Sequence, residues 1–162
     1  MSFDFNPNNV DLGFPLFEKG DYIFKISAPK SWKRVQDEVI KEGVSYMLVC
    51  VRDDTGNNMV GKKYNASFEL TADYGEQNAM KFLVAATGFK STDEGVKAFR
   101  EKFGSLSWRC NVDDNSCGEG WHIAKELEVG LSMNTDIAKK DGKSVKQGDK
   151  IQSFPVYFPA NS

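Results

Sequence analysis

The chain has 162 residues, 40% hydrophobic and 27% charged, with a net charge of −2. That length buries a core without staples, no apolar run approaches the roughly eighteen residues of a membrane span, and three cysteines without framework spacing exclude a disulfide scaffold. The near-neutral total excludes no partner, because local clusters can oppose it, and the start "MSFDFNPNNV", with no basic region followed by an apolar run, is not expected to be a secretory signal. A reducing cytoplasm is the expected compartment.

Twelve Phe, five Tyr and three Trp fall mostly in short alternating runs, a pattern of strands. Residues 1–19 place Phe3, Phe5, Phe14, Leu16 and Phe17 among Asn, Asp and Pro, an irregular arm packed on the body. "DYIFKIS" then alternates as a first strand. Pro29 bends it, "SWKRVQ" continues it, and Gly43 is expected to turn the chain. "VSYMLVCVR" (44–52) is the second strand, "DDTGNN" (53–58) a turn, and "GKKYNASFELT" (61–71) the third strand. Tyr64, Ala66, Phe68 and Leu70 face in, and Lys63, Asn65, Ser67 and Glu69 face out.

The period then changes to that of a helix. Residues 75–88 carry Ala79, Phe82, Leu83 and Ala86 at helical spacing, and 91–104 form a second helix with Ser91 and Glu94 as a capping box. "SLSWRCNVD" (105–113) and "WHIAKELEV" (121–129) are expected as strands four and five around the hairpin loop "DNSCGEG". Residues 134–150 are polar and rich in lysine, and "IQSFPVYFP" (151–159) is a last aromatic run against the body.

Three strands, a helix and two strands make a mainly β chain with one or two helices. The order β-β-β-α-β-β is that of the OB-like five-stranded barrel, which binds oligonucleotides across strands two and three and the neighbouring loops. The expected organisation is an arm over 1–19, the barrel over 20–130, and a polar basic loop with the aromatic segment over 131–162.

Four stretches, "GFPLFEKGDYIFKI", "YMLVCVRDDTGNNMVGKKYNASFEL", a helix ending "AATGF" and "GSLSWRCNV", resemble a family of small phage-encoded proteins from replication and recombination gene clusters. The resemblance covers roughly residues 12–130. It implies an OB-fold single-stranded DNA-binding protein acting in the host cell cytoplasm. The printed sequence ends "FPVYFPANS", without the acidic run through which many such proteins recruit partners.

Catalysis is not expected. The lone His122 has no Ser-His-Asp set around it, no Gly-Lys-Ser/Thr phosphate loop occurs, and "DDTGNN" is turn chemistry before it is a carboxylate pair. No cofactor is implied. Cys110, Cys117 and His122 could converge across one hairpin, but six residues separate the cysteines where structural zinc prefers two to four, and a fourth ligand is wanting.

Nucleic-acid binding is the better-supported reading. Trp108 and Trp121 run in phase with Leu106, Cys110 and Ile123 and read as core. Trp32 runs in phase with Lys30, Arg34 and Gln36, so it reads as an exposed stacking platform, against the alternative of an indole lid on the core. Lys30, Trp32, Lys33, Arg34, Arg52, Lys62, Lys63 and Arg109 are the candidate contacts to single-stranded DNA, with Tyr46 or Met47 as further stacking groups. Arg52 is expected to meet Lys62 and Lys63 across the 53–60 turn. The alternative function is a protein-interaction or counter-defence module that binds a host or replication protein, and the oligomeric state is left open. One prediction follows from ligand spacing alone: elemental analysis of the purified protein should find no stoichiometric zinc, and about one equivalent lost on Cys110→Ser or Cys117→Ser would refute it.

Overall fold

The alternating run that begins at Gly20 does not stop at Pro29. In the computed structural model, which describes residues 17–137, 139–140, 143–144, 150–152 and 155–161, it forms one bent strand, β1 (Gly20–Gln36). Pro29 sits at a register shift after Ile26, where a residue without an N–H disturbs the ladder least. The expected arm lies outside the described residues up to position 16; Phe17 is fully buried in the core.

β1 returns through Asp37 and Glu38 into β2 (Val39–Asp53). Both turn residues have positive φ, 51° and 65°, as a two-residue type I′ turn requires. The expected turn at Gly43 is thereby corrected: Gly43 lies inside β2, opposite Trp32. β2 leads to β3 (Lys63–Glu69) through a loop organised by Asp53. Its carboxylate accepts the Thr55 N–H at 2.8 Å, the Thr55 hydroxyl at 2.5 Å and the Met59 N–H at 2.9 Å.

The change of period is realised as α1 (Asp73–Ala86) and α2 (Asp93–Phe103). Thr92, not Ser91, caps α2, its Oγ1 accepting the Gly95 N–H at 3.1 Å. The next two expected strands need correction. Of 105–113 only β4 (Cys110–Asn111) is extended, paired with β5 (Ser116–Cys117). The run 121–129 begins within a 3-10 helix, Glu119–Ala124, and reaches strand only at β6 (Glu128–Met133). Packing explains the coil. Trp121 is buried edge-on to Trp108, with centroids 5.3 Å apart, and donates its N–H to the Trp108 carbonyl at 2.8 Å. Gly120 lacks a Cβ where the Trp108 ring lies.

The polar stretch expected as a loop contains paired backbone: β7 (Thr135–Ile137), β8 (Lys139–Lys140), β9 (Lys143–Ser144) and β10 (Lys150–Gln152), with β7 against β10 and β8 against β9. β11 (Val156–Pro159) follows. The main sheet has five antiparallel strands in the order β11-β6-β1-β2-β3. β1 is shared: Gly20–Lys25 pairs with β6 on one side, whereas from Pro29 onward it pairs only with β2.

The mainly β chain with a five-stranded antiparallel sheet and few helices is as expected. No hydrogen-bonded ladder joins β3 to β11 among the described residues, so the sheet is open. Its edges approach through side chains instead. Phe82 of α1 lies 5.0 Å from Tyr46, 5.3 Å from Phe68 of β3 and 5.3 Å from Tyr157 of β11, and Phe68 and Tyr157 are 6.2 Å apart. The inward rows of Phe24, Val44, Leu48, Val129 and Leu131 complete the core. Phe82→Ala should lower stability by about 3–5 kcal/mol, read as a fall in the urea midpoint with an unchanged slope.

Candidate nucleic-acid interface

The outer face of β1, β2 and β3 follows from the pairing register. Directly opposed residues share a face, so Lys25, Val49 and Lys63 make one row, Lys30, Ser45 and Ser67 a second, and Trp32, Gly43 and Glu69 a third. Met47 and Asn65 lie between the first two rows. The intervening residues Val44, Tyr46, Leu48, Ala66 and Phe68 are buried on the other face. Tyr46 is therefore no stacking group: it is fully buried, its hydroxyl donates to the Trp121 carbonyl at 2.5 Å, and burial pushes its phenol pKa far up. Met47 is half-buried on the outer face.

Trp32 is half-buried and lies against Gly43. A Cβ on Gly43 would overlap the benzo ring of Trp32 and the Phe68 carbonyl oxygen, so a residue without a side chain is required for the indole to lie on the sheet. The Arg34 guanidinium sits over the ring, 5.5 Å from its centroid, within cation–π range. The indole Nε1 is buried and has no hydrogen-bond acceptor. An unsatisfied buried donor costs about 1–3 kcal/mol. Beside the indole is a cavity of about 150 Å³ lined by Trp32, Arg34, Ser67, Glu69, Tyr74 and Asn78. Glu69 is engaged within it, accepting the Tyr74 hydroxyl at 2.9 Å and facing Lys41 at 3.9 Å.

The eight expected contact residues do not share one surface. Lys30, Trp32 and Arg34 share the outer face. Lys33 projects to the opposite face, paired with Glu42. At the far end of the β2–β3 hairpin, Lys63 opposes Val49, while the Lys62 carbonyl accepts the Cys50 N–H at 2.9 Å. Arg52 does not meet these lysines: it lies beyond the end of β3, opposite Ile23, and pairs with Asp54 at 3.3 Å. Arg109 is exposed just before β4, on the rim of a pocket with Glu42, Cys110 and Cys117. Lys25 and Gly43 belong to the outer face and were not among the expected residues. Lys25 was legible from alternation alone, whereas the role of Gly43 depends on which residue lies across from it.

Among the described residues, no group of three or more His, Cys, Asp or Glu side chains is placed to hold a metal ion, and no helix is long and apolar enough to cross a membrane. Compared with known families and curated proteins, the chain matches no family model and no curated sequence. The resemblance to phage replication proteins therefore rests on the residues quoted for it. The seat of Trp32 generates a prediction. Gly43→Ala should destabilise the protein by about 1–3 kcal/mol through overpacking, measured by thermal or urea unfolding.

Proposed function

We propose that the chain is a sequence-independent single-stranded DNA-binding protein, phage-encoded and active in replication or recombination in the host cytoplasm. We read its sheet as an OB-like barrel in which β6 and β11 take the places of the fourth and fifth strands and aromatic packing around Phe82 stands in for the missing ladder. The strand order β3-β2-β1-β6-β11, with α1 after β3, supports that reading.

The observation that carries the function is the Trp32–Arg34 pair. It sits on a face bearing Lys25, Lys30 and Lys63, with the guanidinium over the indole and the indole N–H lacking an acceptor. A base can stack on the guanidinium plane, or take its place on the indole. Backbone phosphates then follow the cations toward Lys63, six residues along β2 from Gly43, a distance of about 20 Å.

Titration with a dT oligomer, followed by tryptophan fluorescence at low and high salt, tests this. Binding should weaken steeply with salt. Trp32→Ala should cost about 1–3 kcal/mol of binding with little change in salt slope, whereas Lys30→Ala should lower the slope by about 0.7. Lys33→Ala, on the other face, supplies the contrast and should change the slope least. Absence of binding at low salt would refute the reading.

One observation favours the alternative of a protein-binding module. Val35, Val39 and Ile40 at the hairpin tip are 64%, 56% and 52% exposed, a concentration of apolar surface suited to a protein partner. If Val35→Ser with Ile40→Ser leaves DNA binding intact, that surface serves something other than the strand.

A further inference from the structure

Cys110 and Cys117 are Cα partners on β4 and β5. The bond from the Gly118 N–H to the Arg109 carbonyl, at 2.6 Å, makes Arg109 and Gly118 a hydrogen-bonded pair. By the alternation of an antiparallel ladder, Cys110 and Cys117 occupy the next, non-hydrogen-bonded site, where Cα atoms lie about 4.5 Å apart and side chains are closest. That spacing is within the range a disulfide spans. The two side chains therefore face each other across the ladder. Both are half-buried, and both line an open pocket of about 580 Å³ bounded by Glu42, Arg109 and Asn111, so a small reagent can reach them. Cys50 is fully buried in the core.

We propose that Cys110 and Cys117 are a reversible dithiol–disulfide site whose co-substrate is a small-molecule disulfide such as oxidised glutathione. The Cys110 thiolate attacks one sulfur of the reagent, forming a mixed disulfide and releasing one thiolate. Cys117 then loses its proton and attacks the Cys110 sulfur, forming the internal bond and releasing the second thiolate. Two protein thiols are oxidised, one reagent disulfide is reduced to two thiols, and the protons end on them. Burial and the neighbouring Cys110 push the Cys117 thiol up to about 12 and burial raises that of Cys110, so little thiolate is present at neutral pH and oxidation quickens as pH rises. The bond would fix a hairpin that also anchors β1: Ser31 donates its hydroxyl to the Asn111 carbonyl at 2.9 Å and its N–H to the Asn115 carbonyl at 3.4 Å.

The test is independent of nucleic acid. The full chain is incubated with excess oxidised glutathione, alkylated under denaturing conditions and analysed by intact and peptide mass spectrometry. The expected product has lost two hydrogens, links Cys110 to Cys117 and leaves Cys50 alkylated. Its melting temperature should rise on the order of 5 °C, and a dithiol reductant should restore the starting mass. In Cys117→Ser, Cys110 should instead retain one glutathione. Free thiols at both positions, a glutathione on each without an internal link, or a link to Cys50 would overturn the proposal.

Discussion

Phe82 is where the two edges of the sheet meet. An open antiparallel sheet of five strands has one face to cover and two edges to manage, and here a single aromatic side chain on α1 touches the inner strand β2 at Tyr46 and both edges of the sheet at Phe68 and Tyr157. Ring contacts of this kind add about 0.5–1.5 kcal/mol each beyond the area they bury. α1 covers the inward side at β3, β6 and β11, and the outward rows of β1, β2 and β3 lie on the other face of the sheet. The surface proposed for binding is thus a consequence of the core: any residue pulled away from Phe82 relaxes the curve on which Trp32, Lys30 and Lys63 are displayed.

Consecutive residues of β1 divide the work of the two faces. Ser31 is buried and bonded to the β4–β5 hairpin, while Trp32 lies against Gly43 on the outside. The indole is positioned by the absence of a side chain beneath it and by a cation above it, so its orientation is settled before any ligand arrives. Pre-organisation of this sort lowers the entropy lost on binding. The buried, unsatisfied N–H is the counterweight: it costs stability in the free protein.

Much of this was legible wherever side-chain period alone decides structure. The alternation of Tyr22, Phe24 and Ile26, the clean inward and outward rows of β3, and the helical spacing of Ala79, Phe82 and Leu83 all appear as read. The face of Trp32 was legible for the same reason, since Lys30 and Arg34 share its phase. What escaped depended on long-range packing or on atypical turn chemistry. Asp37 and Glu38 carry no Asn or Gly to advertise a hairpin, so Gly43 looked like the turn. Gly130 lies on β6 in the opposite phase to the apolar row Val129, Leu131 and Met133, and it is a glycine there because a Cβ would overlap the ring of Phe158, twenty-eight residues away in the sequence. Trp121 seemed to belong to a strand because a 3-10 coil and a short strand can present the same few apolar residues.

The turn at Asp37 and Glu38 sets a boundary for the whole ribbon. Left-handed backbone costs an ordinary L-residue roughly 1–2 kcal/mol, and two adjacent non-glycine residues adopt it here. Asn-Gly at the same positions would relieve that strain, so the two carboxylates are held against the backbone's own preference. Their charge lies at the outermost point of a stem that carries Lys30, Lys33, Arg34 and Lys41. To a polyanion travelling along that stem, the attractive field ends in a repulsive one within two or three residues. For the polyanion proposed as ligand, the hairpin would then be a track with a buffer stop, with its two terminal carboxylates repelling an anionic chain from the tip.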